Sequence, residues 1–102
     1  MNAQNAPRFD IITPGEILNE EYIKPFGITQ HHLAVAIDVP PRRINEIVHG
    51  KRRITPDTAL RLARYFSTSE RFWMNLQDRH DIEVERERIA PQLEAIIPLV
   101  PA

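Results

Sequence analysis

The sequence contains no cysteine, which excludes a disulfide framework, a thiolate nucleophile and a thiolate-ligated metal site. No apolar run approaches the roughly 18 residues of a membrane helix. The opening residues, MNAQNAPRFDIITPG, show no basic start followed by an apolar stretch, so no secretory signal is expected and a cytoplasmic location is. Only three glycines occur, and none forms a Gly-rich phosphate loop. The histidines are His31, His32, His49 and His80, and no two form an HExxH or similar spaced pair. With no nucleophile motif either, catalysis is not expected, and neither is a metal or another cofactor. No stretch sustains strand alternation, and no internal repeat is present.

What is present is ordinary in amount: 102 residues, 42% hydrophobic and 26% charged, enough for one domain with a modest core. The net charge is only −1, but it is unevenly placed. Residues 1–38 carry two basic and five acidic side chains, residues 39–64 seven basic and two acidic, and residues 65–102 four basic and seven acidic. A basic middle between acidic flanks is an electrostatic footprint suited to phosphate.

The apolar spacing predicts helices throughout. Thr13 reads as an N-cap with Pro14 at the first helical position and Glu16 in the first turn. Ile17, Leu18, Tyr22 and Ile23 mark the buried side, and Pro25 and Gly27 end the helix. Thr29 caps a second helix with Leu33, Ala34 and Ile37 inward. Pro41 opens a third with Ile44, Ile47 and Val48 inward and Gly50 as its stop. Thr55-Pro56-Asp57 starts a fourth, carrying Ala59, Leu60, Ala63 and Phe66. Thr68 or Ser69 starts a fifth, with Phe72, Trp73 and Leu76 on its apolar side. From Asp78 a highly charged helical extension follows, with a narrow apolar edge at Ile82 and Ile89. The end, APQLEAIIPLVPA, is apolar and interrupted by three prolines.

The stretch TQHHLAVAIDVPPRRINEIVHG carries the chemistry. Two helices joined by a short turn form a helix-turn-helix. Leu33, Ala34 and Ile37 from the first helix, Val39 in the turn, and Ile44 and Ile47 from the second serve one shared core. Asp38 stands where glycine is frequent, and aspartate tolerates the left-handed backbone better than most residues. Arg42 and Arg43 occupy the first turn of the second helix, the part that enters the major groove in such motifs. Each can reach guanine O6 and N7, or a phosphate. Positive charge is unfavourable at a helix N-terminus, and a bound phosphate would offset it. Asn45, Glu46 and His49 also lie off the buried face, with Asn45 and His49 as further candidate DNA contacts. The following GKRR loop adds Lys51, Arg52 and Arg53 as a phosphate clamp, and Gln30 can donate to a phosphate from the other side.

At these residues the chain resembles a known group. TQHHLAVAIDVPPRRINEIVHGKRRIT is similar to the Xre, or Cro/C1-type, helix-turn-helix domain of phage repressors. TPGEILNEEYIKPFGIT, INEIVHGKRRITPDTALRLARYF and FWMNLQ, in this order, resemble the HigA (VapI-like) antitoxins of type II toxin–antitoxin modules. The resemblance spans residues 13 to about 80; beyond 80 it extends only to being charged and then apolar. The helical spacing already makes the fold all-α, with an N-terminal arm at 1–13 and a helical extension and apolar tail at 80–102; the resemblance implies a five-helix, lambda-repressor-like bundle over residues 14–79. It implies a homodimer on an inverted repeat in its own promoter, repression of that operon, and neutralisation of a small basic RelE-like toxin, HigB, that cleaves mRNA. It also implies that Gln30 and Lys51 contact phosphates and that Pro41, Arg42 and Glu46 face base edges. Proline has no side-chain hydrogen bond to give and Glu46 would accept only from cytosine, so Arg42 and Arg43 are the favoured readers.

Two other classes remain compatible: a stand-alone repressor without a toxin, and a protein-binding adaptor that keeps the fold without DNA affinity. Trp73 reads as core in preference to a binding hot spot. His31, His32 and His80 read as solvent-exposed. The tail residues Leu93, Ile96, Ile97, Leu99 and Val100 either pack on the body, meet a second subunit, meet the toxin, or stay uncommitted. A toxin-facing acidic surface is expected either on Asp10, Glu16, Glu20 and Glu21 or on the extension from Asp78 to Glu87, with the N-terminal side favoured because the C-terminal region suits the dimer seam.

Overall fold

A reciprocal cap starts the first helix. In the computed structural model of this chain, which describes residues 11–100, the Glu16 backbone N–H donates to the Thr13 hydroxyl at 3.1 Å, and the Thr13 N–H donates to the Glu16 carboxylate at 2.8 Å. The arm expected at 1–13 therefore falls almost wholly outside the described residues, Asp10 included. Helix α1 spans Pro14–Leu18 and widens into a π turn over Asn19–Ile23. The wider turn matters for packing. Leu18 and Ile23 are five positions apart, a poor match to 3.6 residues per turn, yet both are buried because the extra residue per turn brings them to one face.

Helices α2 (Gln30–Ile37) and α3 (Pro41–Val48) form the helix-turn-helix. Thr29 caps α2 through its hydroxyl, which accepts from the His32 N–H at 2.9 Å. Asp38 adopts φ 60°, ψ 54°, the left-handed conformation expected of it. It allows the Asp38 N–H to reach Val35 O at 3.2 Å and the Val39 N–H to reach Ala34 O at 3.0 Å, closing the end of α2. Val39 then points inward beside Leu33, Ala34, Ile37, Ile44 and Ile47, all buried.

Helix α1 rests on the C-terminal end of α3 at Gly15. A Cβ there would lie 1.8 Å from Ile47 O, so only glycine permits this approach.

Helix α4 (Pro56–Phe66) differs from expectation on one residue: Leu60 is 57% exposed, and Leu62 and Thr58 occupy the core instead. The buried stripe runs Thr58, Ala59, Leu62 and Ala63, a true i, i+3, i+4 set, and Leu60 stands a hundred degrees past Ala59 on the outer side. Thr55 precedes Pro56 as foreseen, but its side chain makes no capping bond.

Helix α5 runs from Glu70 to Arg88. Ser69 is its cap, accepting from the Phe72 N–H at 3.0 Å, while the Thr68 hydroxyl accepts from Trp73 Nε1 at 2.8 Å. Trp73 is fully buried beside Tyr22, Phe66 and Phe72, so its polar atom is satisfied inside an aromatic cluster. His80 is half-buried rather than solvent-exposed, with Nδ1 3.5 Å from Asp81 Oδ1.

A short α6 (Ala90–Ala95) follows, despite the prolines. Pro91 sits in its first turn, where the missing N–H costs no bond. Leu93, Ile96, Ile97, Leu99 and Val100 are exposed. Among the described residues there is no strand, and no helix is long and apolar enough to cross a membrane.

Candidate nucleic-acid interface

The first turn of α3 holds two arginines and no acidic residue, and its cap residue Pro40 offers no side-chain bond. Both arginines instead find carboxylates elsewhere. Arg42, 84% exposed, gives Nε to Glu46 Oε2 at 3.2 Å, one turn along the same helix. Arg43, only 29% exposed, gives Nη1 to Asp57 Oδ1 at 3.0 Å, at the start of α4. Asp57 Oδ1 also accepts from Arg61 Nε at 2.8 Å, and Arg61 Nη1 reaches the Ile37 carbonyl at 2.8 Å and the Asp38 carbonyl at 3.2 Å. The carbonyls left open at the end of α2 are thus satisfied from α4, and one chain of bonds holds α2, α3 and α4 in register.

Glu46 is the second junction. Its Oε1 accepts from Arg52 Nε at 2.8 Å, which ties the GKRR loop back onto α3. Gly50, at φ 74°, starts that loop: its N–H reaches Ile47 O at 3.0 Å and the Lys51 N–H reaches Glu46 O at 2.8 Å. Arg53 pairs with Asp81 of α5 at 2.8 Å. Lys51 is exposed and has no ion-pair partner among the described residues. Asn45 Nδ2 donates to Gln30 Oε1 at 3.2 Å, joining α3 to the start of α2. The His49 Nδ1–H donates to the Asn45 carbonyl at 2.8 Å, at the exposed end of α3. Pro41 is exposed.

These contacts join Gln30 with Asn45 and His49, and Arg42 with Glu46 and Arg52, along the surface of α3 and the loop after it, where Lys51 also lies. Arg43 and Arg53 border it, each anchored to a carboxylate of another helix. The electrostatics follow. The Arg52 hydrogen bond is the largest influence on the Glu46 carboxyl and lowers it; desolvation opposes it, and the charges of Arg52 and Arg42 with the Arg42 hydrogen bond keep the net direction below the usual range. Asp57 is lowered likewise, by Arg61 first and Arg43 second. For Asp81 burial pushes upward, but hydrogen bonds from Gln77 and His80 and the Arg53 charge outweigh it, and the net direction is down.

Sequence reasoning missed four organisers of this surface: Asp57, Arg61, Gln77 and Asp81. In the sequence Asp57 reads only as a helix-start acid. Gln77 belongs to the WMNLQ stretch of α5, and it is buried, with Oε1 accepting from the Ile54 N–H at 2.7 Å and Nε2 donating to Asp81 Oδ1 at 2.9 Å. A glutamine four positions after Trp73, on the same apolar side of the helix, is the signal that could have marked it. Among the described residues no group of histidine and acidic side chains could hold a metal ion.

A helix-turn-helix with a cationic second helix and a basic loop after it defines a class of fold and site. The family model described as Helix-turn-helix matches residues 20–73. Virulence-associated protein I of Dichelobacter nodosus is 51% identical over 88 residues, covering 86% of this chain and 81% of that protein. The solved structure of Pseudomonas aeruginosa antitoxin HigA with the higBA promoter superposes with a TM-score of 0.83 at 41% identity, covering 87% of this chain and 98% of that one. An addiction module antidote protein of the HigA family from Coxiella burnetii gives 0.80 at 41%, covering 85% and 96%. The chain belongs to the Xre-type helix-turn-helix family, and its structural neighbours are HigA antitoxins.

Proposed function

We propose that this protein binds double-stranded operator DNA as a homodimer, represses its own operon, and neutralises a small basic RelE-like toxin of the HigB kind in the cytoplasm. The DNA reading rests above all on one observation: the Arg42–Glu46–Arg52 chain joins the first turn of α3 to the basic loop in a single exposed cationic surface. The N-terminal part of α3 enters the major groove. Arg42 reads guanine O6 and N7, with Pro41, Arg43 and Glu46 along the same base edges and Asn45 and His49 at their margin. Gln30, Lys51, Arg52 and Arg53 take phosphates and set the docking angle. One recognition helix covers only a few base pairs, so a second half-site and a second subunit supply useful affinity. The P. aeruginosa HigA structure with its promoter supports this reading by likeness.

The toxin-binding half rests on the antitoxin relatives and on charge. The DNA surface is basic while both flanking segments are acidic, so a basic toxin is attracted away from the operator face. On the first helix Glu20 and Glu21 are exposed, with Glu20 paired to Lys24 and Glu16 engaged in the cap; this side, and not the α5 extension, is the proposed toxin contact. Asp10, proposed with them, lies outside the described residues.

The test is paired. Titration of a duplex spanning the region upstream of the gene, against a shuffled duplex, should give preferential binding at two subunits per site by scattering. Co-expression with the adjacent gene should rescue growth and co-purify both products. A strict monomer on and off DNA overturns the dimer. A harmless neighbour, or one that stays toxic and fails to co-purify, replaces the antitoxin reading with the stand-alone repressor.

A further inference from the structure

We propose that Glu46 is the positioning residue of the DNA-reading surface: its carboxylate clamps Arg42 and Arg52 together and aims them, instead of reading a base itself. This rests on the DNA-binding reading above. Both oxygens of Glu46 are already taken, Oε2 by Arg42 at 3.2 Å and Oε1 by Arg52 at 2.8 Å. Both arginines bond through Nε. Each guanidinium therefore keeps its terminal pair of nitrogens free, and that pair is the end that matches guanine O6 and N7 or two phosphate oxygens. The clamp spans two elements, since Arg42 lies one helical turn before Glu46 and Arg52 lies in the loop after α3. Aiming of the base reader and aiming of the phosphate contact thus share one carboxylate.

The charge logic points the same way. Long arginine side chains lose considerable rotamer freedom on binding, and a clamp formed in the free protein removes part of that cost in advance. A carboxylate on the DNA face also repels phosphate, so it weakens binding at any sequence where Arg42 finds no guanine to compensate. Glu46 thereby sharpens discrimination at the expense of general affinity. A cytosine-reading Glu46 would need to release at least one arginine to offer an oxygen to the base.

Anisotropy titrations of the full chain, wild type, Glu46→Gln and Glu46→Ala, against the upstream duplex and a shuffled duplex over a series of salt concentrations separate the possibilities. The expected result is that both variants melt within a few degrees of wild type and bind shuffled DNA as well as or better than it. Their salt dependence on shuffled DNA steepens by about one to two units, as released cations reach phosphates. Their preference for the upstream duplex falls roughly tenfold. In an Arg42→Ala background, Glu46→Ala should cost no further preference. The proposal is overturned if both duplexes weaken in parallel with a lowered melting temperature, which marks a merely structural residue. It is overturned equally if preference is lost at a single C·G position with shuffled-DNA affinity and salt slope unchanged, which marks a direct cytosine contact. Failure of the underlying reading looks different, since wild type itself would then show no preference before any variant is compared.

Discussion

The backbone N–H of Ile54 donates to Gln77 Oε1 at 2.7 Å, so a side chain of α5 holds the loop that follows the recognition helix. Gln77 then passes the constraint to Asp81, and Asp81 to Arg53. Replacing Gln77 by alanine leaves a buried N–H without a partner and should cost about 1–3 kcal/mol in chemical denaturation. Because Arg53 loses its support, DNA affinity should fall as well. Unchanged stability in Gln77→Ala would contradict the role assigned to this bond.

Gly15→Ala tests the seat of α1 on α3. Alanine is the better helix former by about 1 kcal/mol, so propensity alone predicts stabilisation. The Cβ would meet the Ile47 carbonyl carbon at 2.6 Å and its oxygen closer still. Backbone atoms there cannot swing aside as a flexible side chain can, and the expected net result is a loss of about 1–3 kcal/mol in a urea melt.

Arg42→Ala and Lys51→Ala should separate reading from holding. The first should reduce binding to the upstream duplex by about 1–3 kcal/mol while leaving shuffled DNA much less affected. The second should weaken every duplex alike and lower the salt slope by about 1. Equal effects of Arg42→Ala on both duplexes would make Arg42 a phosphate contact.

Acid should destabilise the fold in a defined direction. Glu46, Asp57, Asp81 and Glu85 are all held below their ordinary ranges. A carboxylate with a lowered folded value binds protons more weakly folded than unfolded, so its contribution is complete above the unfolded value and disappears as pH falls through the folded one. The melting temperature should therefore hold steady from neutrality downward and drop once pH passes below about 4. Asp57→Asn should lower the neutral-pH melting temperature and reduce the acid dependence. A melting temperature that rises on acidification would reverse the sign.

Helix starts and the turn were legible because they depend on neighbours in the chain. Thr13, Thr29 and Ser69 each cap the N–H three residues on, and Asp38 takes the left-handed turn. The shared core of α2 and α3 was legible too, since a helical period fixes which residues face inward. Leu60 is not legible in the same way, because Ala59 and Leu60 are both apolar neighbours and the docking of α4 selects which of two adjacent directions is buried.

By itself, then, the sequence determined an all-α chain with a helix-turn-helix, a cationic second helix and a basic loop, because caps, periodicity and local charge are properties of residues close in the chain. Only the tertiary structure decided which side chains bond from one helix to another. Arg43 meets Asp57 across 14 positions, Arg53 meets Asp81 of α5, and Ile54 meets Gln77 across 23. Such partners are chosen by how helices dock, and docking follows from the summed burial of the core and not from any local pattern. For that reason the sequence could name the residues on the surface, while the order in which Glu46 and Asp57 bind them emerged only with the fold.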